Sequence, residues 1–554
     1  MLELKIRERR QTLQEFAEFA EAFARDHNEP GTLSARHLQR LAAGRGPNGR
    51  PLGRLRPSTA RLLERIFSLR IDELLAAPTS PSDDATVREH EQAAASPSML
   101  GQLGTSHRDS TTPAVQTPET RVDMAKSFAW LDEFAGWTPE TTRRRVMSQL
   151  GKLNTDDLLT RHARRDRVRR SEIARVLSDY YGHEPGYELY RVNDGRRDIT
   201  TSLLTRHDWL DLACPLGQGH DHLSLSTAPG GSRASGSGVD HAVRRLAEAA
   251  ALGVRVANAP LYRLLDIDVG GGTIAGSAGL APFAEYAATL DVLEKELIDS
   301  ISEGTSPQPA ALPLRDRYLP DLASVLDLSS RLCAGGILAL CAIARPADPY
   351  RGNRDYALLI QQRSDHVLNA ARRLSVIPKG FHQPMTDVHA DAQLRTTLLR
   401  EMEEELFGRT EVDNTMDVSR AAAPLHPGRF SAPMQWLTER PDRMRMECTG
   451  FGLNLVSGNF EFACLIVIDD EEFWDRYGGQ VEANWEASGL RLYSTLDDQL
   501  VGELIADESW SNEGVFALLQ GIRRLREVGD DRVSLPAVEP SPGLSRRCGI
   551  GGVP

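Results

Sequence analysis

Apolar residues recur at two different spacings along this chain, and the change of spacing divides it into elements. Leu398, Leu399, Met402 and Leu406 return every three to four residues, which predicts a helix with one apolar side. At roughly 100° per residue, Glu401, Glu404 and Glu405 then gather on the opposite side. Upstream the spacing is that of strands: Cys333–Arg345 and Tyr356–Gln362 are apolar runs of strand length, and Leu374–Pro378 is a short third, turning at Lys379-Gly380. Downstream, 450–469 predicts two antiparallel strands around Ser457-Gly458-Asn459. Its second strand is apolar on both faces, as in a central strand. Residues 409–434 and 474–484 read as loop, and 514–528 as a terminal amphipathic helix.

The first 78 residues predict short helices alone. Leu13, Phe16, Ala17, Ala20 and Phe23 share one face of 12–27, and Asn28-Glu29-Pro30-Gly31 marks a turn. Ser34 caps a helix over 35–43, with Leu38 and Leu41 inward and Arg36, His37, Gln39 and Arg40 outward. Residues 44–56 form a loop containing Arg45, and 58–67 and 71–75 close the set. Residues 79–120 have no apolar period and read as a disordered linker. From 121 to 320 the pattern predicts a mainly helical region, with helices near Phe128–Trp137, after Thr138, over Ser171–Tyr181, over Val239–Leu252 and over Pro282–Ile301. An irregular loop is expected between Trp209 and residue 238. The boundaries are therefore 1–78, 79–120, 121–320, an α/β domain over 321–475, a C-terminal extension over 476–537 packed on it, and a disordered tail over 538–554.

Glu401 and Glu405 form an i,i+4 like-charge pair, which destabilises an exposed helix by roughly 0.2–0.5 kcal/mol. A hard cation such as Mg²⁺ or Mn²⁺ bound by Glu401, Glu404 and Glu405 would offset that; a solvated acidic face is the alternative. The order strand, strand, short strand, glycine turn, loop, then Arg400-Glu401-Met402-Glu403-Glu404-Glu405 resembles the Nudix hydrolase domain. The resemblance implies an α/β/α sandwich, metal ligation by the three glutamates and hydrolysis of a phosphoanhydride. Several positions depart from the family pattern. Ala392 stands at its loop glutamate, Thr386 at its first glycine, with Gly380 six residues earlier, and Phe407 precedes a displaced Gly408. Asp387 or Asp391 could stand in for the missing carboxylate.

Thr12–Ala17 and Leu33–Leu38, with Leu62–Phe67 and Asp72–Leu75 behind them, resemble the Cro/repressor type of helix-turn-helix domain, here with a longer turn. That resemblance implies duplex DNA as partner, read by Arg36, His37, Gln39, Arg40 and Arg45; a helical protein-interaction domain is the alternative. The two parts together resemble a group of transcriptional regulators of high-GC Gram-positive bacteria. They imply a homodimer that senses a small, nucleotide-like ligand, or alternatively a Mg²⁺-dependent hydrolase with a DNA-binding head.

Charge sharpens the division. The chain has 65 Lys and Arg against 78 Asp and Glu, a net −13. Residues 1–78 carry 14 basic against 10 acidic residues, +4, which leaves −17 for the rest, so only the head suits a polyanion. The basic run 161–170 reads as a solvated helix face, with a second DNA-binding helix as the alternative. Asp266–Thr273 (DIDVGGGT) has the glycines of a phosphate loop but lacks the strand–helix repeats around it, and reads as a turn into the following helix. The six cysteines lack any CxxC pair and fit reduced interior positions. A charged start and a longest apolar run of about ten residues, against the ~20 a bilayer needs, lead to the expectation of a cytoplasmic protein without a membrane span.

Overall fold

The computed structural model describes Ile6, Phe16, Ala17, Phe19, Ala20, Phe23, Ala24, Leu38, Leu41, Pro57–Phe67, Ile71 and Leu74. It then describes 118–541, except 218, 227–236, 255, 257, 271, 306, 350–351, 365–366, 368–369, 386, 409–424, 426 and 482–486. The chain divides into two compact units, Met1–Asp109 and Ser110–Pro554.

In the first unit, helix α1 (Pro57–Phe67) contributes Leu62, Leu63 and Ile66 to a core with Ile6, Phe16, Ala17, Ala20, Ala24, Leu38, Leu41 and Leu74. Phe16 stacks on Phe67 with ring centroids 5.0 Å apart. Leu38 and Leu41 are buried, as the apolar pattern of their segment predicts. Arg36, His37, Gln39, Arg40 and Arg45, the candidate DNA-reading residues, lie outside the described residues.

The second unit opens with four helices: α2 (Pro118–Phe134), α3 (Thr141–Leu150), α4 (Thr155–Arg165) and α5 (Arg170–Tyr181). Strands β1 (Glu188–Asn193), β2 (Asp198–Thr205), β3 (Leu210–Pro215) and β4 (Asp221–Leu225) follow, then α6 (Ser237–Ala251), β5 (Pro260–Gly270), β6 (Thr273–Pro282) and α7 (Phe283–Ser302). Six strands therefore lie where the apolar pattern predicts a mainly helical region, and the segment is mixed α/β. The signal for β3 was present, since Leu210, Leu212 and Cys214 alternate inward, but the run is only six residues long. DIDVGGGT is the end of one strand and the start of another. Gly270 pairs with Thr273 across a two-residue hairpin turn, and Gly272 takes φ +78°, a conformation glycine adopts without strain. A strand, and not a helix, follows this turn.

Short helices α8 (Arg315–Tyr318) and α9 (Leu322–Leu326) lead to the three strands expected from sequence, β7 (Gly335–Arg345), β8 (Asp355–Arg363) and β9 (Leu374–Val376), and then to β10 (Lys379–Phe381), a short strand where the sequence predicts a turn. Helix α10 (Leu394–Glu401) continues into a π-helical turn, Met402–Leu406. After α11 (Ala432–Glu439) come β11 (Met444–Asn454) and β12 (Asn459–Ile468), the antiparallel pair around Gly458. Helix α12 (Glu471–Tyr477) runs into sequence expected to be loop from residue 474. Strand β13 (Ala487–Ser494), α13 (Asp498–Ala506), α14 (Asn512–Val528) and β14 (Glu539–Pro540) complete the unit.

The main sheet runs β13-β8-β7-β12-β11-β2-β1-β14, with β3 on β11, β9 on β8 and β10 on β7. The pairing of β7 with β12 is parallel and the other ladders of this sheet are antiparallel. Because β1–β3 join through β11, the sheet crosses the boundary expected at residue 320. Alternate residues of β7 face opposite layers. Ile337, Ala339, Cys341 and Ile343 pack with Leu394, Leu398, Met402 and Leu406, while Leu338, Leu340, Ala342 and Ala344 pack with Phe516, Leu519 and Ile522 of α14. A Cβ on Gly521 would sit 2.8 Å from Leu340 Cβ, so α14 rides close on the sheet where a glycine permits it. Among the described residues the five cysteines are free and buried, and no helix is long and apolar enough to cross a membrane.

Candidate functional site

The acidic helix is neither a solvated face nor an open crevice. Glu401, Glu403, Glu404 and Glu405 are all buried, the least so at 7% exposure. Burying carboxylates is unfavourable unless their charge and lone pairs are met, and here they are met from three directions. The Arg400 guanidinium lies 2.6 Å from Glu401 Oε1, and its Nη1 donates to Glu404 Oε2 at 3.4 Å. It also donates to the Phe381 carbonyl at 3.1 Å, tying the helix to β10. Glu405 Oε2 accepts the Lys379 backbone N–H at 2.7 Å, and Glu403 Oε1 accepts that of Ser431 at 2.7 Å.

Gly380 makes this arrangement sterically permissible. A Cβ there would fall 1.7 Å from Glu401 Oε1, inside the carboxylate itself. The glycine that marks a turn in the sequence is therefore also the floor on which Glu401 rests. Beyond it, the Lys379 ammonium reaches the other side of the sheet and pairs with Glu513 of α14 at 2.6 Å. Asn454 Nδ2 donates to the second Glu513 oxygen at 3.3 Å, and Ser202 Oγ donates to Asn454 Oδ1 at 2.9 Å. Burial opposes the Glu513 charge, but the Lys379 charge and hydrogen bonds from Lys379, the Glu513 backbone N–H and Ser511 hold the carboxyl below its usual range. Glu461, also buried, is driven well upward by burial and by the adjacent Glu513 charge. A cavity of about 30 Å³ lined by Glu294, Arg373, Asn454 and Glu513 adjoins this network and has the size of one water site.

The loop between β10 and α10 closes on its own backbone. Asp391 Oδ2 accepts the N–H groups of Met385 (2.8 Å) and Asp387 (3.0 Å), and Asp387 Oδ1 accepts those of His389 (2.9 Å) and Ala390 (3.1 Å). Both aspartates are thus engaged in shaping the loop. His382 is fully buried, 2.8 Å from Thr397 Oγ1 through Nδ1, with its ring 4.4 Å from that of Tyr262. Burial, helped by the Arg400 charge, pulls its pKa down to about 3, so the imidazole is neutral.

Glu401, Glu404 and Glu405 were the metal ligands and catalytic carboxylates expected from sequence. Among the described residues, no group of three or more His, Cys, Asp or Glu side chains is placed to hold a metal ion. With oxygens turned to Arg400, to the Lys379 N–H and to β10, the three carboxylates do not fit a shared cation site in this arrangement. Chemically, the cluster clamps α10 to β10. The Lys379–Glu513 pair was absent from the sequence reading, which took Lys379 only as a turn residue, since nothing in a turn lysine and a helix glutamate 134 residues apart signals a buried pair. No family model matches the chain, and no curated protein matches it.

Proposed function

We propose that this protein is a transcriptional regulator. The Met1–Asp109 unit would bind duplex DNA through a Cro/repressor-type helix-turn-helix. The α/β region would be a Nudix-like α/β/α sandwich that senses a small ligand or supports a homodimer. The observation that carries this reading is the fate of the acidic box. The helix, its glycine turn and its position on one face of a mixed sheet are kept, with α14 on the other face, while its carboxylates are bound by Arg400 and backbone N–H groups. A scaffold can persist after its chemistry is lost. The small apolar core of the first unit and the net positive charge of residues 1–78 within an acidic chain support the DNA-binding role.

Genome-wide binding of the intact protein tests the regulator. Enriched sites are expected, with affinity for duplex DNA falling as salt rises; an absence of enriched sites refutes it. The alternative, a Mg²⁺-dependent hydrolase with a DNA-binding head, rests on the likeness of Arg400–Glu405 to the Nudix box. It would need the carboxylates to leave Arg400 and gather on Mg²⁺ or Mn²⁺. Titrating Mn²⁺ into wild type and Glu404→Gln tests it together with phosphate release across nucleoside diphosphate compounds. Equal, negligible binding by both proteins is expected, whereas turnover near ~1 s⁻¹, in the ordinary enzyme range, would establish a hydrolase.

A further inference from the structure

A second concavity lies away from the acidic helix, between the C-terminal end of α5 and strand β1. It measures about 430 Å³, within the range of small-molecule sites. Its floor is apolar and buried: Leu177 of α5, Leu204 of β2 and Leu455 just after β11. Its mouth is set by Gly182 and His183, which are exposed. Two aromatic rings stand in the wall, and both are fixed. Tyr181 donates to the Leu319 carbonyl at 2.9 Å and accepts from Arg315 at 3.0 Å, and the Tyr187 ring lies edge-on to Trp209 at 5.7 Å. Fixed rings lose little conformational freedom when a ligand stacks on them.

The polar groups are biased toward accepting hydrogen bonds. Glu188 is half-buried, and its carboxylate makes no hydrogen bond or ion pair with another described residue. The C-terminal end of α5, with its partial negative charge, faces the same space. Arg191 is the only Lys or Arg among the described lining residues, and its Nε is already directed at Thr200 Oγ1 at 3.1 Å. The groove therefore lacks the cationic cradle that a di- or triphosphate requires.

We infer that this groove is a binding site for an uncharged planar heteroaromatic compound bearing amino or hydroxyl donors, of the nucleobase or nucleoside class. Its ring lies among Leu177, Tyr181 and Tyr187, and its donors meet Glu188. This inference deepens the ligand-sensing part of the proposed function and places the ligand away from the acidic box. Calorimetric titration of the full chain with adenosine, cytidine and ADP, without added metal, tests it. The same preparations are also assayed for duplex DNA binding, so that a failed ligand site and a failed regulator are told apart. A nucleoside is expected to bind wild type and ADP to bind less well. Glu188→Gln should weaken the nucleoside by about tenfold, the effect of losing a hydrogen bond to a charged group. Ser178→Trp, which fills the groove from α5, should abolish binding, with both variants melting within about 2 °C of wild type when unliganded. Absence of nucleoside binding to wild type, preference for ADP, or undiminished binding in both variants overturns the inference.

Discussion

Two sets of carboxylates in the same unit have opposite fates. Those of the acidic helix, Glu401, Glu403, Glu404 and Glu405, are buried and bonded to Arg400 or to backbone N–H groups. Glu188, in an unremarked strand, is half-buried, and its carboxylate bonds to no other described residue. The motif that attracts attention in the sequence is buried and bonded here, and the half-buried carboxylate without a described partner carries no motif. A site is recognised by charge left unmet in a concave place, whereas a clustered charge already met is part of the core.

Removing the cation at the centre of the first set should have the largest effect. Arg400→Ala leaves buried carboxylates without their guanidinium, and breaking a buried pair from one side destabilises by about 3–5 kcal/mol. Urea unfolding would show this as a lowered midpoint, and a loss under about 1 kcal/mol would mean that the cluster is better solvated than its burial indicates.

Gly380→Ala comes next. The added methyl group must displace Glu401 Oε1, and overpacking of this kind destabilises by about 1–3 kcal/mol. Combining it with Glu401→Ala should recover part of the loss, a non-additivity that a double-mutant cycle measures directly. Strict additivity would sever the contact between Gly380 and Glu401 from the cause.

Acid sharpens the comparison from another side. His382 has a folded pKa of about 3 against an ordinary 6.5, so between these values the unfolded chain binds a proton that the folded chain refuses. Stability therefore falls as pH drops below 6.5, by about 1.4 kcal/mol per pH unit for this one group. His162, pulled down to about 4 by burial and by the Lys295 charge, acts in the same direction. Unfolding free energies at pH 6.5 and 5.5 should differ less in His382→Gln than in wild type; an unchanged slope would assign the acid sensitivity elsewhere.

The smallest effect belongs to the second set. Glu188→Gln should change stability by no more than about 0.5 kcal/mol, as for a surface position with nothing to lose. A loss above 1 kcal/mol, read by the same urea unfolding, would show that Glu188 is held as tightly as the acidic box, and the contrast would collapse.

Strands β7 to β9, the β11–β12 pair and helix α14 were legible in the sequence because each carries an uninterrupted apolar run or a clear 3.6-residue stripe. The inward placement of Leu38 and Leu41 was legible for the same reason. Strands β1 to β6 were not, since they are interleaved with strong helical segments and several end in glycine- or serine-rich sequence. The π-helical turn at Met402–Leu406 was hidden too, because an ideal 100° step assumes that the α-helix continues.

Local periodicity, then, determined the elements: how far an apolar stripe extends and where a glycine or proline interrupts it depends on neighbours in sequence. Only the tertiary structure decided what the charges do. Whether Glu401 faces water, a metal ion or Arg400, and whether Lys379 meets Glu513, depends on which distant segments share one buried volume, and electrostatic energy there follows spatial separation rather than position along the chain.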